Sequence, residues 1–155
     1  MKGTRKDPRH KAREAALQVL YQWEVGRTDV ASAANTFFSL QWNDSEPPPD
    51  DLRDFATDLA HDTVRRLAEI DVLIADTAER WRPERMAVID RLVLRMATAE
   101  LLRHASGQLK FHDTPPAVII NEAIELARTF SSEDAVKFIN GMLDTIRRKL
   151  ESGRV

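Results

Sequence analysis

Residues 115–144, PPAVIINEAIELARTFSSEDAVKFINGMLD, decide the fold. Pro115–Pro116 starts a helix, because proline's fixed φ and missing N–H suit the first helical position. The apolar residues that follow recur at three- and four-residue spacing, the period of a helix with one buried stripe. Ser131 or Ser132 then caps a last helix, in which Phe138, Ile139, Met142, Leu143, Ile146 and Leu150 share a face. Two amphipathic helices in succession leave apolar stripes that other helices must cover.

Working outward, residues 105–116 (ASGQLKFHDTPP) read as a loop, and Pro83 opens a helix or pair of helices reaching about His104. Upstream, Asp71 is the expected cap of a helix that turns Leu73, Ile74 and Trp81 inward. A helix from about Asp51 to Ala68 lines up Leu52, Phe55, Leu59, Thr63 and Leu67. The stretch NDSEPPPDD (43–51) is a loop, since three consecutive prolines cannot sit within a helix. Before it, Thr28 or Asp29 caps a helix carrying Ala33, Phe37, Phe38 and Leu40. The first helix runs from about Pro8 to Val25 and ends at Gly26. Its stripe is Ala12, Ala16, Val19 and Trp23, while Leu17 and Tyr21 fall on the opposite side. No alternating strand pattern appears. The expected fold class is all-α, with about seven helices divided by the proline-rich loop into about 1–45 and 50–155, as one domain spanning 1–155 or two small helical subdomains sharing a core.

Charge is distributed unevenly. The net charge of −2 conceals a basic start: Lys2, Arg5, Lys6, Arg9, Lys11 and Arg13 face only Asp7, for a net +5. The other residues carry 17 basic and 24 acidic side chains, a net −7. Cations at a helix N-terminus oppose the macrodipole at roughly 0.3–1 kcal/mol each. Several such placements within two turns favour contact with an anion such as nucleic acid over an ordinary solvated helix start. A secretory signal is disfavoured, because Glu14, Gln18, Gln22 and Glu24 interrupt the apolar run that such a signal needs. No stretch approaches the roughly 18 apolar residues of a membrane span, so no membrane association is expected. With no cysteine, disulfides and thiolate zinc sites are excluded and a cytoplasmic setting is expected. The four histidines are scattered without metal-ligand spacing, so neither metal nor cofactor is expected.

No catalytic constellation emerges, and no enzyme is expected. Neither a P-loop nor a GxGxxG is present. Glu122 and Glu125, three apart beside Asn121, read as a solvated or capping helix face. Asp90 and Glu100 differ, because both fall inside the apolar arc set by Met86, Ile89, Val93, Met96 and Ala97. A carboxylate there must be paired, hydrogen-bonded, or located where a helix breaks or meets a partner. Asp90 could cap a helix after a break near Val88, or touch a partner. Glu100 could be anchored by Arg95, Arg103 or a neighbouring helix.

Three segments taken together, AREAALQVLYQWE (12–24), WRPERMAVIDRLVLRMATAEL (81–101) and the opening stretch, resemble the NusB family of transcription antitermination factors over nearly the whole chain. The resemblance implies a cytoplasmic, non-enzymatic protein that pairs with NusE, a small-subunit ribosomal protein. Together they would bind boxA-type single-stranded RNA and join elongating RNA polymerase, chiefly during ribosomal RNA synthesis. It implies an RNA-binding arm of Lys2, Arg5, Lys6, Arg9, Lys11 and Arg13. Arg9 and Arg13, four apart, would share a helical face. Asp134, Lys137, Phe138 and Asn140 match a motif near the RNA, while Leu17, Tyr21 and Asp90 match or neighbour partner-facing positions. Asp7 and Pro8 depart from the family's usual arm. NusB-like domains also occur fused to ribosomal RNA methyltransferases; this one is expected to act alone. The competing expectation is a helical adaptor or homodimer that uses Leu17, Tyr21 and Asp90 without specific RNA binding.

Overall fold

A computed structural model of the chain describes residues 9–42, 46–78, 81–107 and 114–153. Among them all regular structure is helical: α1 (His10–Val25), α2 (Val30–Thr36), α3 (Asp50–Arg65), α4 (Leu67–Thr77), α5 (Val88–Ser106), α6 (Pro116–Phe130) and α7 (Glu133–Glu151). A π-helical turn, Phe37–Gln41, continues α2, and a 3-10 turn, Pro83–Arg85, precedes α5. The chain forms two compact units, residues 1–61 and 62–155, and the division falls within α3.

In the first unit α1 packs against α2 and the π-helical turn. Helix α1 buries Ala12, Ala15, Ala16, Leu17, Val19 and Leu20, far more than one stripe. Its alanines permit that, since small side chains let neighbouring backbone come close on several sides. The chain then leaves through Gly26, where a Cβ would lie 2.7 Å from the Gln22 carbonyl oxygen. Gly26 itself keeps helical angles; Arg27 takes the left-handed conformation at φ 54°. Asp29 caps α2, its Oδ2 accepting from the Ser32 N–H at 3.0 Å. Phe37, Phe38 and Trp42 then form an aromatic cluster with ring centroids 5.0 to 6.3 Å apart. Leu40, expected on the same helix, points to solvent at 81% exposure, because the wider π-helical turn rotates it off the packed face.

In the second unit α5 is central, packed against α4, α6 and α7, and every residue from Leu92 to Arg103 is buried. Pro116 occupies the first position of α6, Ser132 Oγ accepts from the Ala135 N–H at 3.1 Å to cap α7, and left-handed Gly107 closes α5. Helix α7 contributes Ile139, Met142, Leu143 and Ile146 to the core.

Three expectations need correction. The helix expected to reach Ala68 stops at Arg65, and α4 starts at Leu67, so Asp71 is no cap. It lies inside α4, where its two oxygens accept from Arg95 Nε at 3.0 Å and Nη2 at 2.9 Å. Glu122 is not solvated: it is 1% exposed, on the packed side of α6. Phe138, assigned to the apolar face of α7, is 42% exposed. Glu100 is buried as expected, whereas Arg103 pairs with Asp62 at 2.9 Å between side chains that are both nearly inaccessible.

Candidate nucleic-acid and partner surfaces

In the first unit the described part of the basic arm begins at Arg9; Lys2, Arg5 and Lys6 lie outside the described residues. Arg9 is the N-cap residue of α1, half-buried, with its guanidinium 4.8 Å from the centre of the Phe55 ring. Arg13 does share that face, one turn on, with its guanidinium 5.1 Å from the same ring. The face looks onto Phe55, with Arg9 half-buried and Arg13 only 1% exposed. Arg13 is therefore corrected from a phosphate ligand to an interior cation held over an aromatic ring. Lys11 points the other way and is exposed, its Nζ 5.4 Å from the centre of the Trp42 ring. His10 Nε2 lies 3.1 Å from Glu14 Oε2.

Of the expected contact residues on α1, Tyr21 is 39% exposed and Leu17 only 2%. Leu17 is thus a core side chain with no surface to offer a partner. Val25, one turn beyond Tyr21, is 50% exposed and extends its apolar surface.

In the second unit Asp90 is the third residue of α5, not its cap, which is Ala87. The helix does start at Val88, where a break was expected. A carboxylate in the first turn suits the helix dipole. Asp90 Oδ1 also accepts from the hydroxyl of Ser131, tying the start of α5 to the α6–α7 junction. Asp134, Lys137, Phe138 and Asn140 are all exposed along the first two turns of α7.

Beside Phe138 the structure shows a groove of about 650 Å³ that sequence reading did not single out, also lined by Trp81, Arg82, Arg85 and Met86. Its charged rim is visible in sequence as two arginines flanking Pro83–Glu84 directly after a tryptophan, but nothing local pairs that turn with Phe138. Among the described residues, no group of three histidine or acidic side chains is placed to hold a metal ion.

Residues 10–148 match the NusB family model. The chain belongs to the NusB family. The transcription antitermination protein NusB of Koribacter versatilis is 43% identical over 146 residues, covering 94% of this chain and 92% of that protein. That of Solibacter usitatus is 42% identical over 142 residues, covering 92% and 90%. Among solved structures, NusB of T. maritima superposes with a TM-score of 0.76 at 32% identity, covering 94% of each chain. A chain in the crystal structure of antitermination factors NusB and NusE in complex with dsRNA has the same fold, with a TM-score of 0.72 at 24% identity over 90% of this chain and 96% of that one. NusB-family relatives are transcription antitermination factors and not enzymes.

Proposed function

We propose that this chain binds boxA-type single-stranded RNA jointly with a NusE-type ribosomal protein, and so supports processive transcription of ribosomal RNA operons by elongating RNA polymerase in the cytoplasm. Membership of the NusB family over residues 10–148 carries the reading. A NusB of the same fold assembles with NusE and RNA. No helix among the described residues is long and apolar enough to cross a membrane.

Residues 1–13 of the single NusB-like domain serve as the RNA-binding arm, with Arg9 and Lys11 its described cations. Cation–phosphate contacts position RNA without reading its sequence. Reading single-stranded bases requires stacking surfaces and edge hydrogen bonds, which exposed Phe138, Lys137 and Asn140 supply on α7. Asp134 orients this cluster from the first turn. Tyr21 in the first unit and Asp90 in the second are each assigned to NusE contact.

A homodimer is the competing use of the exposed Tyr21–Val25 surface. Size-exclusion chromatography of the chain with a NusE-type protein, with and without boxA RNA, separates the two. Elution as a one-to-one heterodimer that takes up RNA supports the proposal. A homodimer that persists in the presence of NusE and excludes RNA supports the alternative.

A further inference from the structure

Among the described residues the groove beside Phe138 is lined by two aromatic rings, two guanidinium groups, a thioether and the Ala78 methyl, with no carboxylate among them. Its walls are held in place. Arg91 Nη1 donates to the carbonyls of Pro83 at 2.7 Å and Met86 at 3.1 Å, fixing both ends of the 3-10 turn. Trp81 Nε1 donates to Met86 Sδ at 2.8 Å. The buried Arg95, clamped by Asp71, stands 5.9 Å from the centre of the Trp81 ring and backs it. Arg82 and Arg85 are exposed, and among the described residues neither takes part in an ion pair, so both guanidinium groups project from an anchored turn.

A volume of about 650 Å³ lies within the roughly 300–1,000 Å³ of clefts that take a small ligand or one residue of a polymer. Flat rings accept a flat π-system, and the paired cations require an occupant with negative charge next to it. A nucleotide unit meets both demands, with its base on the rings and its phosphate on the arginines. An acidic peptide would satisfy the arginines and leave the tryptophan–phenylalanine pair without a stacking partner.

We propose that the Trp81–Arg82–Arg85–Met86–Phe138 groove is a nucleotide subsite, which stacks one base of single-stranded RNA and holds its phosphate. It rests on the proposed RNA-binding function and adds to that reading a binding station on the turn before α5.

The test follows the indole N–H signals of the full-length chain by NMR, with Trp81 assigned from Trp81→Phe. The chain is titrated with single-stranded 12-mer boxA and scrambled RNA, and separately with NusE-type protein alone. Movement of the Trp81 signal on RNA addition is expected. Phe138→Ala should weaken binding by roughly tenfold, the scale of one lost base stack. Arg82→Ser/Arg85→Ser, both at exposed positions, should make the log–log salt slope shallower by about 0.7, the share of the one phosphate they hold. RNA binding with an unmoved Trp81 signal and unchanged variants overturns the subsite and leaves the RNA function standing. Movement of Trp81 by NusE alone, without RNA, overturns it in favour of a protein contact. Equal movement by boxA and scrambled RNA supports the subsite, since selectivity for boxA is assigned to the joint complex with the NusE-type protein. Absence of binding by either RNA, to the chain alone and to its mixture with NusE-type protein, overturns both.

Discussion

Arg13 sits with its charge inside the protein, 1% exposed over the ring of Phe55. A desolvated guanidinium on an aromatic face is stabilised by about 2 kcal/mol, and the long side chain also fills volume. Arg13→Ala should therefore destabilise the fold by roughly 2–4 kcal/mol in urea unfolding, and Arg13→Lys should recover only part of it. Arg9→Ala, at a half-buried terminal position, should leave the urea midpoint nearly unchanged and weaken RNA binding instead. An equal stability loss from both variants would show that the burial difference between these arginines is inconsequential. Asp29 offers a pH readout at the same scale. The backbone N–H and hydroxyl of Ser32 hold its carboxyl below the ordinary value of 3.8. A depressed folded-state pKa means that the cap contributes fully above the unfolded value and is lost as pH falls through the lower folded one. The stability difference between wild type and Asp29→Asn should thus be present at neutral pH and vanish at strongly acidic pH. A difference independent of pH would assign the cap to geometry alone.

At the scale of elements, α5 and α7 show what the amino-acid pattern reveals. Helix α7 was legible because one side meets α5 and α6 while the other meets water, so its apolar residues repeat at helical spacing. Ser132 was legible because its cap bond is local; Ser132→Ala should cost about 1 kcal/mol of unfolding free energy. Helix α5 is buried from Leu92 to Arg103, and its Arg95 and Arg103 pair with Asp71 and Asp62, 24 and 41 positions away. No local pattern announces such partners. That is why Asp71 reads as a cap from sequence, and why Arg13 and Leu17 read as surface residues on a helix whose covered faces are unknown. The α3–α4 break is equally silent, because it occurs at Arg66, with φ −97° and ψ 17°, without glycine or proline. The Asp62–Arg103 pair gives a sharp prediction. Asp62→Ala takes the carboxylate away from the buried Arg103 guanidinium and from Arg65 and Arg66 and should destabilise by about 3–5 kcal/mol, whereas Asp62→Leu/Arg103→Met should recover part of that loss. A double variant as unstable as the single one would mean that the pair contributes net stability.

For the whole molecule, the useful quantity is how the charges reach an RNA chain. With Arg13 interior, the proposed RNA-binding arm is left with Lys2, Arg5, Lys6, Arg9 and Lys11. Neutralising about five phosphates of a single strand gives a log K against log salt slope of roughly −3.5. Lys11→Ala should make that slope shallower by about 0.7 without changing selectivity between RNAs, because phosphate contacts carry no sequence information. The all-α architecture, the basic start and the α7 motif were readable from the chain itself. The groove at Trp81 was not, because a turn before α5 and an exposed ring on α7 become neighbours only in the folded unit.

The most direct measurement is fluorescence anisotropy of labelled boxA RNA with the chain at physiological salt, with and without a NusE-type partner, against a scrambled RNA. Joint recognition predicts weak, poorly selective binding by the chain alone. Addition of the partner should make binding tight and selective for boxA. Affinity and selectivity unchanged by the partner, or no binding in either case, would contradict joint RNA recognition.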